Sequence, residues 1–121
     1  MKIFILEDND ERIKLFNRWF SKHTLVFSKE VNDAFKKIQF DKFDLIFLDH
    51  DLDNRHYVDS NEENTGYQLA KMIHETVNKH TKVIVHSLNI VGVRNMLPCL
   101  TSNEAEYIPF GSFNQDLLAG N

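Results

Sequence analysis

Short, wholly apolar segments recur along this chain and alternate with longer segments in which apolar residues are spaced for helices. The clearest apolar segments are 3–6, 45–48 and 83–85. Each is too short for a helix and apolar at every position, which is typical of strands buried on both faces of a sheet. Weaker strands are predicted at 24–27 and 107–110. The pattern therefore predicts five strands.

Helices are predicted between these strands, because apolar residues recur there at intervals of three and four positions. The first covers roughly 10–21, with acidic residues in its first turn and Asp8 or Asn9 as its cap. Asn89 is expected to cap a short fourth helix, which Pro98 should end or kink. The apolar faces of the later helices are Val31, Ala34, Phe35 and Ile38; Leu69, Ala70, Ile73 and Val77; Val93, Met96 and Leu97; and Phe113, Leu117 and Leu118 in a reduced last helix.

The resulting order is β-α repeated five times, which predicts an α/β fold with right-handed crossovers. We expect a doubly wound, five-stranded parallel sheet of flavodoxin-like order 2-1-3-4-5, with helices on both faces and a shortened last helix. Residues 1–121 are expected to form a single domain, because this length is common for one domain. Such sheets bind ligands beyond the carboxyl ends of their strands.

The composition narrows the classes of function. A formal net charge of -4 argues against a large nucleic-acid-binding face. The single cysteine excludes a disulfide framework and a multi-cysteine zinc site. No apolar run is long enough to span a bilayer, and acidic Glu7 and Asp8 come too early for a signal peptide. We therefore expect a cytoplasmic protein without a membrane partner, as a monomer or weak homodimer.

Polar side chains follow three of the predicted strands at the point where each strand ends. They are Glu7 and Asp8 after the first strand, Asp49, His50 and Asp51 after the third, and His86 and Ser87 after the fourth. Since strands one and three are neighbours in the predicted order, the acidic residues of both should converge. Carboxylates this close repel one another or share protons unless a cation neutralises them.

A divalent cation, Mg²⁺ or Mn²⁺, is the predicted cofactor, because oxygen ligands at a partly open site suit these ions. The predicted metal ligands are Glu7, Asp8, Asp49 and Asp51. The alternative is that these acids are solvated loop residues or helix caps. The adjoining loop, 52–64, is polar and rich in carboxylates, as active-site loops often are.

Two histidines close core strands beside these acids. His50 and His86, together with Asp49, are the predicted catalytic residues. A histidine in such a place serves as a general acid or base, a phosphate contact or a metal ligand. The alternative is that each histidine is a hydrogen-bonded structural residue.

Ser87, Asn89 and Arg94 are the predicted substrate-binding residues. The Ser87 hydroxyl and the amides at the start of the next helix can contact phosphoryl oxygens, and Arg94 lies on that helix. The alternative is that Ser87 and Asn89 only cap the helix and that Arg94 is solvated. Together these groups predict a small phosphorylated ligand.

The chain resembles the receiver domain of two-component response regulators. The resemblance is carried by Glu7-Asp8, 44–49, 66–70, 83–87 and Pro109-Phe110. It implies a receiver fold, Mg²⁺ binding by the acidic pair and phosphorylation at Asp49. Where receivers carry a lysine before the final Pro-Phe, however, this chain has Ile108.

A narrower resemblance, to the cyclic-phosphate-processing receiver family, rests on 48–52, 59–66 and 86–89 with Gly92 and Met96. Small stand-alone proteins of this type occur in phages and bacteria. The resemblance implies a metal-assisted site that acts on a cyclic phosphate, either a nucleoside cyclic phosphate or a cyclic oligonucleotide. A metal-dependent phosphoesterase is therefore the leading hypothesis. The alternatives are a non-catalytic binding or signalling module and a response regulator phosphorylated on aspartate.

Overall fold

Five parallel strands form the centre of the structure, a computed structural model that describes residues 1–52 and 55–118. The strands are β1 (Lys2–Leu6), β2 (Thr24–Ser28), β3 (Leu45–Leu48), β4 (Lys82–Val85) and β5 (Glu106–Tyr107). Their order across the sheet is β2-β1-β3-β4-β5, and every neighbouring pair is parallel. The predicted order 2-1-3-4-5 is therefore confirmed.

The described residues form four α-helices, which cover the two faces of this sheet. They are α1 (Asp10–Trp19), α2 (Val31–Phe40), α3 (Gly66–Met72) and α4 (Ile90–Met96). Helices α2, α3 and α4 pack on one face with Phe4 and Leu6 of β1. Phe16 of α1 packs on the other face with Ile3 and Ile5. Because side chains alternate between the faces, β1 has to be apolar at each of these positions.

The third helix ends earlier than its apolar pattern predicts. α3 stops at Met72, a 3-10 turn covers Ile73–Glu75, and the backbone is extended at Thr76. The Thr76 hydroxyl donates to the Ile73 carbonyl at 2.7 Å, which satisfies a backbone group where the helix stops. Val77, predicted on the buried face, is 43% exposed. That assignment is therefore wrong.

The fourth helix is capped as predicted. The side-chain oxygen of Asn89 accepts the backbone N–H of Gly92 at 3.0 Å. The helix ends at Met96, and Pro98 lies at the start of a 3-10 helix, Leu97–Asn103. Proline has no N–H with which to continue the α-helical pattern.

The last strand is shorter than predicted. β5 has two residues, and the chain beyond it stays beside β4 without regular pairing. The N–H of Ile108 donates to Val85 at 3.0 Å and that of Phe110 to the His86 carbonyl at 3.2 Å. Pro109, between them, has no N–H to add to the ladder.

The last helix is shortened further than its apolar pattern predicts. A 3-10 turn covers Phe110–Ser112, and no α-helix follows β5 within the part of the chain up to residue 118 that the structure describes. Phe113 and Leu118 are nevertheless buried on the face of the sheet that α1 covers. None of the described helices has the length and apolarity that a membrane crossing requires.

Candidate functional site

A cleft opens at the carboxyl ends of the central strands, where the strand order predicts ligand binding. Its lining residues are Glu7, Asp8, Asn9, Arg12, Asp49, Asp51, Arg55, His56, Ser87 and Leu88. Its volume is about 130 Å³, several times the roughly 10–15 Å³ that one water molecule needs. The cleft therefore has room for a hydrated ion or a phosphate group.

Glu7 lies at the floor of this cleft and is fully buried. At the end of β1, the backbone N–H groups of Asp8 and Asn9 donate to Glu7 Oε2 at 3.1 and 3.2 Å. The other oxygen, Oε1, lies 3.1 Å from Nε2 of His86. Burial acts to raise the pKa of Glu7, but the hydrogen bond and attraction of His86 and the Asn9 N–H hold it below its ordinary value. Glu7 is therefore a carboxylate with a fixed position.

Asp49 lies beside Glu7, at the end of neighbouring β3, and is 5% exposed. Its Oδ1 accepts the backbone N–H of His50 at 2.8 Å. Burial raises the pKa of Asp49 to about 7; the charge of Glu7 acts in the same direction, and His86, the His50 N–H and Arg12 oppose it. The positive and hydrogen-bonding groups around Asp49 therefore offset only part of the cost of burying its negative charge.

His86 supports Glu7 from within the core. It is fully buried, and its Nδ1 has no hydrogen-bond partner within the described residues. One donor atom each from Glu7, Asp49 and His86 lies within 4.8 Å of the others. Four aromatic rings surround the imidazole, and their centroids lie 5.5–6.4 Å from its own: Phe16, Phe47, Phe110 and Phe113. The three polar side chains therefore form a buried cluster below the cleft.

Arg12 brings a positive charge to the same carboxylates. Its Nη1 lies 3.5 Å from Glu7 Oε1 and 3.8 Å from Asp49 Oδ2. The guanidinium carbon lies 4.8 Å from the centroid of the Phe110 ring. Phe110 in turn packs against Trp19, with ring centroids 5.6 Å apart. Arg12 is therefore fixed between an aromatic face and two acids.

His50 connects β3, the polar loop and α4 behind the wall of the cleft. It is fully buried, with Nδ1 2.7 Å from Asp51 Oδ1 and Nε2 2.8 Å from Ser60 Oγ. Asn95 of α4 donates to the same Ser60 oxygen at 2.9 Å. A Cβ on Gly92 would lie 2.4 Å from Cγ of the His50 ring. The imidazole is therefore packed directly against α4.

Asp51 lines the cleft, and its carboxylate holds the loop in place. Oδ1 also accepts hydrogen bonds from the Val58 N–H at 3.2 Å and from Asn89 Nδ2 at 3.0 Å. Oδ2 accepts the Tyr57 N–H at 2.6 Å. Burial acts to raise the pKa of Asp51, but the bonds from His50, Asn89 and Tyr57 hold it below its ordinary value. Both oxygens are therefore engaged within the protein.

A family profile decides what kind of domain this is. The profile of the cyclic-phosphate processing receiver domain matches residues 1–102. The chain belongs to the cyclic-phosphate processing receiver family. None of the curated proteins compared with it is a match.

Solved structures of receivers share the fold of this cyclic-phosphate receiver. A CheY-like response regulator receiver domain protein from Methanospirillum hungatei JF-1 is 17% identical, with a TM-score of 0.70, over 94% of this chain and 83% of that one. A two-component response regulator from Clostridium difficile is 18% identical, with a TM-score of 0.72, over 98% and 88%. The Mn(2+)-bound form of response regulator Rcp1 is 18% identical, with a TM-score of 0.65, over 89% and 79%. At these identities the likeness establishes the fold alone.

The predicted metal ligands of this receiver have different surroundings. Glu7 and Asp49 meet at the floor of the cleft, and half-buried Asp8 lines it beside them. Asp51 also lines the cleft, but its oxygens are bound to the loop. His86, predicted as a catalytic residue, lies behind these acids, with a donor atom within 4.8 Å of theirs. The structure therefore brings three predicted residues together and places Asp51 in a second network.

The predicted proton carriers and phosphate contacts lie at different depths. His50 and His86 are fully buried behind the lining of the cleft. Ser87 lines the cleft, and its Oγ accepts the backbone N–H of Asn89 at 3.0 Å. Asn89 is buried and Arg94 is exposed on α4, and neither lines the cleft. Their roles in catalysis and substrate binding stay predictions.

Sequence reasoning misses Arg12, Arg55 and His56, which line the cleft of the receiver. Arg12 has a usable signal, because it lies in the first turn of the helix that starts at the strand ends. Arg55 and His56 belong to the polar loop, where no periodic pattern assigns a direction to individual side chains. In the structure Arg55 pairs with Glu62 at 3.1 Å, and His56 is exposed.

Proposed function

We propose that this receiver is a phosphoesterase that hydrolyses a small cyclic phosphate with the help of a divalent metal ion. The substrate class is a nucleoside cyclic phosphate or a cyclic oligonucleotide, met in the cytoplasm. The observation that carries the proposal is the convergence of donor atoms from Glu7, Asp49 and His86 within 4.8 Å of one another, with both carboxylates lining an open cleft and His86 buried behind them. Membership of the cyclic-phosphate processing family supports the substrate class.

The donor set at the floor of the cleft fits a divalent cation. The carboxylates of Glu7 and Asp49 suit Mg²⁺ or Mn²⁺. A cation here would relieve the repulsion between Glu7 and buried Asp49, whose pKa is raised to about 7. Asp8 is a further candidate ligand. The Mn(2+)-bound form of response regulator Rcp1, which shares the fold, is consistent with such an ion.

The groups of the chain have separate tasks in this proposal. When bound, the metal ion polarises a phosphoryl oxygen or lowers the pKa of a water molecule. Glu7 is held in one orientation by His86 and by backbone N–H groups. Ser87 and Arg55 line the cleft and bind non-bridging oxygens of the phosphate. The substrate is thereby oriented before reaction.

Hydrolysis also requires a proton for the leaving group. The oxygen of water forms a new P–O bond as the water gives up one proton, the P–O bond within the ring breaks, and the departing alkoxide takes up a proton. His56 lines the cleft and is exposed, whereas His50 and His86 are fully buried behind it. We therefore assign this proton to His56 and a positioning role, through Glu7, to His86.

A substrate panel tests the proposal. The protein is incubated with nucleoside cyclic monophosphates and cyclic dinucleotides in Mn²⁺ or Mg²⁺, and products are separated by chromatography. We expect metal-dependent ring opening of at least one compound, loss of this activity in Asp49→Asn, and full activity in Glu75→Gln, which removes an exposed acid far along the chain from the site. Binding of a panel member without conversion would instead make the domain a binding module.

A further inference from the structure

We propose that Arg12 hydrogen-bonds the phosphate in this cleft. We propose also that Arg12 and the metal ion compete for the carboxylates of Glu7 and Asp49. The inference rests on the proposed function, because it names how that site recognises a phosphodiester or phosphomonoester anion. It assigns to α1 a binding residue that the strand ends do not supply.

The backbone of α1 places Arg12 at the cleft. Asn9 caps the helix, and its side-chain oxygen accepts the backbone N–H of Arg12 at 3.0 Å. The side chain then extends along the Phe110 ring, with the guanidinium carbon 4.8 Å from the ring centroid. Contact with an aromatic face stabilises a guanidinium and limits its orientations. Arg12 is therefore preorganised before any ligand arrives.

Within residues 1–52 and 55–118, the N–H donors of this guanidinium form no hydrogen bond to the protein. The distances from Nη1 to Glu7 and Asp49 are 3.5 and 3.8 Å, beyond the 2.7–3.2 Å of ordinary N–H···O hydrogen bonds. Among the described residues, the Arg12 side chain makes no hydrogen bond that would occupy its donors. The side chain is 23% exposed and lines the cleft. Its charge is thus held by the acids while its donors stay available.

A guanidinium in this state suits a phosphate. Its planar fork matches two non-bridging oxygens of a phosphate with two parallel hydrogen bonds. Ser87 and Arg55 line the same cleft, so an anion bound to Arg12 meets further donors. The neighbouring carboxylates repel an anion, and they do so less once a metal ion neutralises them. We therefore expect phosphate to bind most tightly with the metal present.

The same position makes Arg12 a competitor of the metal ion. Its charge lies within 4 Å of both acids, so a metal ion bound to those acids would lie close to the guanidinium. Two positive charges about 4 Å apart repel each other appreciably even near a protein surface. Removal of Arg12 should therefore strengthen metal binding while it weakens phosphate binding. If Arg12 only neutralised the buried acids, its removal would strengthen metal binding and leave phosphate affinity unchanged. The two roles thus differ in the phosphate measurement.

Calorimetric titrations separate these roles. Mn²⁺ is titrated alone, and inorganic phosphate is titrated in millimolar Mg²⁺, into wild type, Arg12→Gln, Arg12→Lys and Arg18→Ala. For Arg12→Gln we expect phosphate affinity to fall about ten- to a hundredfold, the usual effect of losing hydrogen bonds to a charged group, and Mn²⁺ affinity to rise severalfold. Arg18→Ala removes an exposed arginine from the same helix and should match wild type in both titrations.

Arg12→Lys covers the case in which Arg12→Gln does not fold. Lysine keeps the charge and loses the planar fork, so Mn²⁺ affinity should stay near wild type while phosphate affinity falls severalfold. Wild-type phosphate affinity in a folded Arg12→Gln protein, or no phosphate binding by wild type, would overturn the proposal. If Arg12→Gln loses phosphate binding and the wild type opens no cyclic phosphate, Arg12 is the phosphate contact and the phosphoesterase proposal is rejected.

Discussion

Asp49 carries a conflict between its position and its charge. It is 5% exposed and lies beside the carboxylate of Glu7. Its pKa therefore rises from an ordinary 3.8 to about 7. Between these two pH values the unfolded chain has lost this proton while the folded protein keeps it. The fold consequently loses stability as the pH rises through this interval, and the loss is complete above about pH 7.

Asp49→Asn should raise the melting temperature in chelator by an amount that depends on pH. The amide keeps the shape of the carboxyl group and cannot ionise. The gain should be small near the ordinary pKa of 3.8, grow until about pH 7 and stay constant above it. Melting curves in EDTA across this range measure the gain, with Glu75→Gln as the exposed control. A gain that is equal at all pH values would contradict the burial argument.

The sign of this effect should reverse when metal is added. An ion that binds the folded protein stabilises it by RT ln(1 + [L]/Kd), and Asp49→Asn should lose most of that contribution. In millimolar Mg²⁺ or Mn²⁺ the wild type should therefore be the more stable protein. Melting curves of both proteins with each ion decide this. An undiminished metal shift in Asp49→Asn would exclude Asp49 from the metal site.

Turnover and thermal stability, measured together, should distinguish the role of His56 from that of His86. His56 is exposed, so His56→Ala should leave the melting temperature near wild type and lower turnover about 10²–10⁴-fold. His86→Ala should lower both, because it leaves a cavity in the core and removes a partner of Glu7. Rate assays on a confirmed substrate and thermal melts measure these effects. Unchanged turnover in His56→Ala would assign the proton to another group.

At the scale of elements, the cleft depends on how His50 fixes the polar loop to α4. The imidazole of His50 contacts the hydroxyl of the loop residue Ser60, and the helix residue Asn95 donates a hydrogen bond to the same hydroxyl. Gly92 allows the helix to approach, since a Cβ there would lie 2.4 Å from the ring. One buried imidazole thereby sets the distance between a loop and a helix.

Gly92→Ala should therefore destabilise the protein, although alanine is the better helix former. Helix propensity alone would favour alanine by about 0.5–1 kcal/mol, whereas overpacking against His50 costs about 1–3 kcal/mol. We expect a net loss of about 1–2 kcal/mol in urea denaturation. Gly111→Ala is the control, because outside its immediate chain neighbours no heavy atom lies within 4 Å of its added Cβ. A stabilising Gly92→Ala would show that the imidazole does not limit this approach.

The elements that the sequence predicts well are those with a local cause. The runs 3–6, 45–48 and 83–85 are strands because each is apolar at every position, and the structure places all of them in the sheet. The second half of the chain is less predictable. Val77 fits the helical spacing, but the backbone leaves the helix before it reaches this residue. Phe113 and Leu118 are buried as their apolarity indicates, although no α-helix among the described residues carries them.

The candidate site divides in the same way. The strand-end rule predicts that Glu7 and Asp49 meet, because it follows from sheet topology. The pairing of His50 with Ser60, and the approach of Arg12 to both acids, depend on side-chain directions across elements. No sequence pattern fixes those directions, so these contacts become visible only in three dimensions. Asp51 is the clearest example, since its neighbours in space engage both of its oxygens.

For the whole molecule, the receiver fold does not by itself determine what the domain does. The resemblance to response-regulator receivers aligns Asp49 with their phosphorylated aspartate and Ile108 with their lysine. Ile108 packs against the apolar cluster on the α1 side of the sheet. The chain therefore has the receiver fold, with an apolar residue where this resemblance predicts a lysine.

The protein should be a poor phosphoacceptor for this reason. Incubation with acetyl phosphate and Mg²⁺, followed by mass spectrometry of the intact protein, should show little phosphorylated product. Ile108→Lys should increase the yield if the missing cation is the cause. A stable acyl phosphate on Asp49 of the wild type, formed in high yield, would favour the response-regulator alternative over the phosphoesterase.

The aromatic contact beneath Arg12 has a practical consequence. Trp19 is the single tryptophan of the chain, and its indole packs against the same Phe110 ring that supports the guanidinium. A ligand that binds Arg12 and shifts its guanidinium must alter the electrostatic field and the packing around the Phe110 ring. The intrinsic fluorescence of Trp19 should therefore change as the cleft fills, so that the unlabelled protein reports its own ligand binding.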